Sequence, residues 1–178
     1  MSDKKDLYSE VKGQMSLSER IAAFIPGFRG YKEKELRRES DRLIRNHLYL
    51  KLSAAKTDLR DIFQKLSDRR YFDVLTDMDR LVAKTDRVVE KINHASYGYT
   101  GFFDAIKMKE AALDRMIEFD NKLIDEISAF ATEMSAFKTE FATGETKNLE
   151  TRIQNVTDKL DNLENTFDQR EEVILGAN

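Results

Sequence analysis

Apolar residues recur at three- and four-residue steps through most of the chain, and that rhythm predicts long amphipathic helices. The first spans about Tyr31 to Leu66, with Leu36, Leu43, His47, Leu50, Leu59, Ile62 and Leu66 on one stripe. Leu48, Leu52, Ala55 and Phe63 widen it, which suits burial against more than one neighbour. At 1.5 Å per residue this helix is about 54 Å long. Ser67–Arg70 then reads as a short turn capped by Asp68, so the second helix returns antiparallel over residues 70–95. Its stripe is Tyr71, Leu75, Met78, Val82, Val89 and Ile92, with Leu81 and Val88 beside it.

The longest interruption is SYGYTGFFDA, Ser96 to Ala105. Gly98 and Gly101 let the backbone reverse, Phe102 and Phe103 close a bundle end, and Thr100 caps the next helix. Tyr97 and Tyr99 offer a recognition surface there if their rings line an open concavity. The third helix starts near Phe103 and carries Ile106, Leu113, Met116, Leu123, Ile127, Phe130, Met134, Phe137 and Phe141 in heptad-like rhythm. Asp120 interrupts that rhythm; a slight drift of the helix would leave it at the boundary, with Ile117 and Ile124 inside. Thr143-Gly144 is a stop signal. The fourth helix, about 146–172, has Leu149, Ile153, Val156, Leu160, Leu163 and Phe167 on a narrow seam. That seam could also bring two copies of the chain together.

The expected fold is all-α: an elongated antiparallel bundle of four long helices with coiled-coil-like packing, preceded by a short N-terminal helix. Residues 1–15 read as a flexible segment and 16–30 as a short helix and turn ended by Pro26-Gly27. Residues 31–172 read as one bundle domain, and 173–178 as a tail.

Composition sharpens this picture. Only one Pro and seven Gly occur in 178 residues, which argues against a loop-rich or all-β fold. A charged fraction of 35% against 40% apolar suits helices with one buried stripe and a wide solvated face. The net charge of −3 gives no whole-chain case for nucleic acid. The absence of Cys agrees with a reducing, cytoplasmic setting, and MSDKKDLYSE lacks the apolar core of a signal peptide. Charge is uneven: Arg29–Arg60 is basic in balance and Asp104–Glu150 acidic, which suggests pairing within the chain or between copies.

Little catalytic chemistry emerges. His47 lies on the first stripe and His94 ends the second helix, four residues after Glu90 rather than at the Glu-x-x-His spacing of bundle dimetal sites. His47 therefore reads as a packed seam residue and His94 as a helix-end cap, with no metal and no cofactor expected. GFRG and YGYTGFF are glycine-bearing turns without the strand and Lys of a phosphate loop. In SERIAAFIPGFRGYKEKELRR, Ile21, Phe24, Ile25 and Phe28 precede Arg29, Lys32, Lys34, Arg37 and Arg38. An apolar wedge followed by cations is the layout of a weak anchor on an anionic membrane surface, or of a segment packed on its own bundle.

IPGFRGYKEKELRRE (Ile25–Glu39) and SYGYTGFFDAIK (Ser96–Lys107) resemble two signature segments of an uncharacterised family of prokaryotic helical proteins. In that family a glycine-aromatic turn divides two coiled-coil halves. The resemblance covers roughly residues 20–135 and implies no activity and no catalytic residue. The long charged helices are also loosely similar to membrane-remodelling coiled-coil proteins of the phage-shock type.

The reading is of a non-enzymatic helical scaffold or protein-interaction protein, with a peripheral membrane-surface protein as the alternative. Its candidate interaction surface is Phe24, Ile25, Phe28, Arg29, Tyr31, Tyr97, Tyr99 and Phe102. The expected partner is a protein or a second copy, or else an anionic membrane surface.

Overall fold

The computed structural model describes residues 17–31, 34–95, 110–144 and 146–175. They are all-helical: α1 (residues 17–24), α2 (Lys34–Asp68), α3 (Phe72–His94), α4 (Glu110–Thr143) and α5 (Leu149–Leu175). The glycine-aromatic stretch with Tyr97, Tyr99, Phe102 and Phe103, together with Ile106, lies outside the described residues, as do residues 1–16 and 176–178. No described helix is long and apolar enough to cross a membrane.

The helices end where local chemistry stops them. Gly27, past α1, and Gly144, past α4, both take positive φ (88° and 86°), which a Cβ would resist. The α2–α3 reversal lies later than the spacing predicts: α2 ends two residues further on, at Asp68, and α3 begins two residues later, at Phe72. Asp68 belongs to the last turn of α2, where Gln64 Nε2 donates to it at 2.9 Å, and caps nothing in α3. The turn is made instead by Arg70, the single non-glycine with positive φ (63°) among the described residues. The Tyr71 amide donates to the Leu66 carbonyl and the Arg70 amide to that of Ser67, both at 3.0 Å. This is a Schellman ending with arginine where glycine is usual.

The chain packs as two compact units, each with its own core. One contains Leu48–His94 and Asp125–Asn165. Leu52, Leu59, Ile62 and Leu66 of α2 are buried there with Val74, Met78, Leu81 and Val88 of α3. Ile127, Phe130, Met134 and Phe137 of α4 and Leu149, Ile153, Val156, Leu160 and Leu163 of α5 complete that core. Surface ion pairs give the neighbour order around it. Arg60 reaches Asp86 (α2–α3, 2.7 Å), Lys84 pairs with Asp161 and Arg87 with Glu164 (α3–α5), Arg152 holds Glu133 (α5–α4, 2.8 Å), and Lys138 holds Asp58 (α4–α2, 2.6 Å). Tyr71 and Thr146, one from each reversal, meet at 3.4 Å, so both turns lie at the same end of this unit. Antiparallel hairpins α2–α3 and α4–α5 therefore stand side by side.

The seams differ from the expected ones in α2 and α3. In α2 the buried positions run Arg37, Asp41, Ile44, Leu48, Leu52, Ala55, Leu59, Ile62, Leu66. Leu50 is 57% exposed and Leu43 and His47 are only half-buried, so the stripe drawn through them is rotated off the true seam. In α3 the seam is Val74, Met78, Leu81, Thr85, Val88, Ile92, with Leu75 and Val82 half-buried beside it. Thr85 is tolerated inside because its hydroxyl donates to the Leu81 carbonyl at 2.8 Å. The α5 seam residues from Leu149 to Phe167 are buried within this chain.

Candidate functional site

The second unit comprises residues up to His47, with Ala95–Ile124 and Thr166–Asn178. Here the heptad rhythm continues but the residues on it change character. On α5 the run Leu149, Ile153, Val156, Leu160, Leu163, Phe167 proceeds by the same alternating steps to Arg170 and Ile174. On α4 the run through Met116 reaches Asp120, and on α2 the run back from Leu48 and Ile44 reaches Asp41 and Arg37. Three helices thus place charged residues on the buried seam, and Asp41, Asp120 and Arg170 are sealed from solvent.

They meet as one layer. Arg170 Nε donates to Asp120 Oδ1 at 2.6 Å, Nη1 donates to Asp41 Oδ1 at 2.9 Å, and Nη2 donates to the Tyr31 hydroxyl at 3.0 Å. Asp41 Oδ2 accepts from Arg45 Nε at 2.8 Å. Two carboxylates therefore face two guanidiniums, which is how a buried charge cluster avoids a prohibitive desolvation cost. The Asp120 carboxyl is the less completely served of the two, because its Oδ2 is buried without a well-formed hydrogen bond. Burial pushes the Asp120 carboxyl above its ordinary value, against the charge and hydrogen bond of Arg170 and a hydrogen bond with the Tyr31 hydroxyl. Burial likewise raises the Tyr31 hydroxyl well above its usual range, and the Asp120 charge adds to that.

The same unit clamps residues 17–31 through buried polar side chains. Asn121 Nδ2 of α4 donates to the Leu17 carbonyl at 3.2 Å and to the Ile117 carbonyl at 2.9 Å. From α2, Ser40 Oγ donates to the Gly30 carbonyl (2.9 Å) and Arg37 Nε to the Tyr31 carbonyl (3.1 Å). Arg170 adds the bond to the Tyr31 hydroxyl from α5. The apolar side of the segment, Ile21, Ile25 and Phe28, is buried with Tyr31, and the Phe28 and Tyr31 rings meet edge to face at 5.7 Å. Residues 17–31 are thus a strap laid on this unit, held at both ends.

Of the candidate interaction residues, Ile25, Phe28 and Tyr31 are consequently interior, while Phe24 is 47% exposed and Arg29 is exposed. Tyr97, Tyr99 and Phe102 fall outside the described residues. Asp120 is not a boundary residue: Ile117 and Ile124 are buried as expected, yet Asp120 is buried with them because Arg170 and Asp41 receive it. The cue lay in the α5 seam, which arrives at Arg170 in register, a cation on one seam matching an acid on each of two others. His94 is exposed and pairs with Glu90 at 3.2 Å, an i, i+4 surface contact. Among the described residues no group of three His, Cys, Asp or Glu is arranged to hold a metal ion.

An open cleft of about 320 Å³ lies at the turn end of the other unit, lined by Tyr71, Asp73, Val74 and Thr146–Thr151. Phe72 beside its lining is 64% exposed, the most exposed large apolar side chain among those described. No protein-family model, curated protein or solved structure matches the chain.

Proposed function

We propose that the chain is a non-enzymatic helical scaffold that engages a protein partner. What supports this is how the buried ionic layer is used. Each edge of the Arg170 guanidinium is committed to groups of the same unit, with no exposed face to offer a substrate. Charge is spent on fixing helix register and strap position, the best-attested use of a buried polar layer. The outward anchor of this reading is Phe72, with the exposed Arg69 and Arg70 preceding it. Aromatic and arginine side chains together are the usual hot-spot chemistry of protein interfaces.

A photo-crosslinking residue at position 72, compared with one at the exposed Arg80, tests it in cells of the source. Capture of a discrete protein from position 72 alone is the expected result. Identical crosslinking from both positions would sink the reading.

The alternative, contact with an anionic membrane surface through residues 17–38, is favoured by one observation. Phe24 and Arg29 of the strap are both exposed. With Ile21, Ile25 and Phe28 turned inward, that contact needs the strap to lift first. Co-sedimentation with anionic vesicles, with and without residues 1–30, separates the two readings; absence of binding in both forms rules the membrane out.

A further inference from the structure

We propose that the α2–α3 reversal docks an acidic peptide segment of the partner, with Arg69 and Arg70 taking its carboxylates and Phe72 an adjoining apolar side chain. This rests on the scaffold reading and names the chemistry of the partner at the same site. Phe72 is 64% exposed. The cleft beside it is lined chiefly by polar side chains, among them Asp73, Thr146, Asn148 and Thr151. The apolar part of a contact here therefore falls on the Phe72 ring itself.

The turn does not require the arginine at position 70. The Arg70 and Tyr71 amides close the reversal through the backbone alone, each at 3.0 Å. The positive φ of 63° suits glycine better than any residue with a Cβ. Arg70 is exposed, and among the described residues its guanidinium has no ion pair or hydrogen bond. A strained backbone kept for a side chain that holds nothing in the fold points to a use for that side chain outside the fold.

Arg69 is set beside it in a fixed pose. Its guanidinium carbon lies 4.9 Å from the centroid of the Phe141 ring, which is buried, so the ring covers one face of an otherwise exposed side chain. Stacking of this kind leaves the N–H edges free for a carboxylate. The acids on the reversal are already engaged. Asp68 accepts from Gln64 at 2.9 Å, and Asp73 lies in the first turn of α3, where the helix end compensates its charge. Those two acids also decide the class of partner. They flank the arginines along the chain and repel a continuous polyanion such as nucleic acid, whereas a peptide can set a single carboxylate or a pair on the arginines alone.

Random peptides displayed on phage and selected on the folded full chain test this. The enriched sequences should carry Asp or Glu beside an aromatic or aliphatic residue, and fluorescein-labelled synthetic copies should bind more weakly as salt rises. Arg70→Gly removes the cation and relieves the backbone, so circular dichroism should show it folded while affinity falls by about tenfold or more. Arg70→Asn, which also accepts the left-handed backbone, should lose as much, and Phe72→Ala should weaken binding comparably. Affinity unchanged in either Arg70 variant, or no enrichment at all, overturns the inference. So does displacement of the peptides by a labelled single-stranded oligonucleotide whose binding depends on Arg70. Enriched peptides that need Phe72 but carry no acid overturn it and leave the scaffold reading standing, whereas identical crosslinking from positions 72 and 80 defeats that reading itself.

Discussion

Replacing Arg170 with methionine keeps most of the side chain's apolar bulk and removes the cation on which Asp120 and Asp41 converge. Both carboxylates are as deeply buried as Arg170 itself, so neither can turn to solvent for compensation. Asp41 retains Arg45, but Asp120 is left with no cationic partner in the layer. Breaking a buried pair in this way costs about 3–5 kcal/mol. One close charge pair at an effective dielectric near 20 is worth about 4 kcal/mol, which agrees. A domain holds only about 5–15 kcal/mol in total, so Arg170→Met should be folded but badly weakened. With a urea slope near 2 kcal/mol/M, the midpoint should fall by about 2 M. Circular dichroism in urea measures this. The companion variant Asp41→Leu/Asp120→Leu/Arg170→Met removes the charges together, and should match or exceed the wild type because the desolvation cost disappears. A loss under about 1 kcal/mol in Arg170→Met would show that water reaches the layer, and would refute the reasoning.

Three further outcomes follow from individual sites. Arg70→Gly relieves a left-handed backbone worth about 1 kcal/mol while adding some freedom to the unfolded chain, so thermal melting should rise slightly, by about 1–2 °C; a lower melting point would mean the Arg70 side chain contributes more than its backbone costs. Ile21→Ala empties a fully buried position on the strap, and exchange protection of residues 17–31 should drop by the equivalent of about 2 kcal/mol or more while α3 is unchanged. Burial pushes the Asp86 carboxyl up, but Lys56 (2.6 Å) and Arg60 (2.7 Å) outweigh it and hold it below its ordinary value. Its stability contribution is present above the unfolded pKa and lost as pH falls through the folded one. Asp86→Asn should therefore flatten the acid limb of stability, by under about 1 kcal/mol for so exposed a pair.

How far sequence reasoning reached depended on what occupied the seam. In α5 and the second half of α4 every seam position up to Phe167 and Phe141 is apolar, and every seam residue that periodicity selects there is buried, with Thr166 of α5 buried beside them. In the first half of α2 the seam holds Arg37 and Asp41, with Ser40 buried beside them. A search for apolar spacing slides past these residues onto Leu43, His47 and Leu50, one step around the helix. Asp120 was discounted for the same reason: a single acid in an apolar rhythm looks like drift until its partners on other helices are known. Those partners are separated from it by 50 residues in one case and lie on a different helix in both. Periodicity within one helix carries no information about such pairing. What could have revealed it was the sum over helices, one seam cation against two seam acids. The strap was legible as an amphipathic segment, but whether Ile21, Ile25 and Phe28 face inward depends on side chains such as Asn121, which lies 104 residues along the chain from the carbonyl it binds.

The most direct test of the clamp is a double-mutant cycle between Tyr31→Phe and Arg170→Met, read as urea stability. Tyr31→Phe keeps the buried ring and deletes only the hydroxyl that accepts from Arg170 Nη2. If the ionic layer holds the strap through that bond, the two effects should fall short of additivity by about 0.5–1.5 kcal/mol. Strict additivity would mean that strap and layer are energetically independent, and would contradict the account.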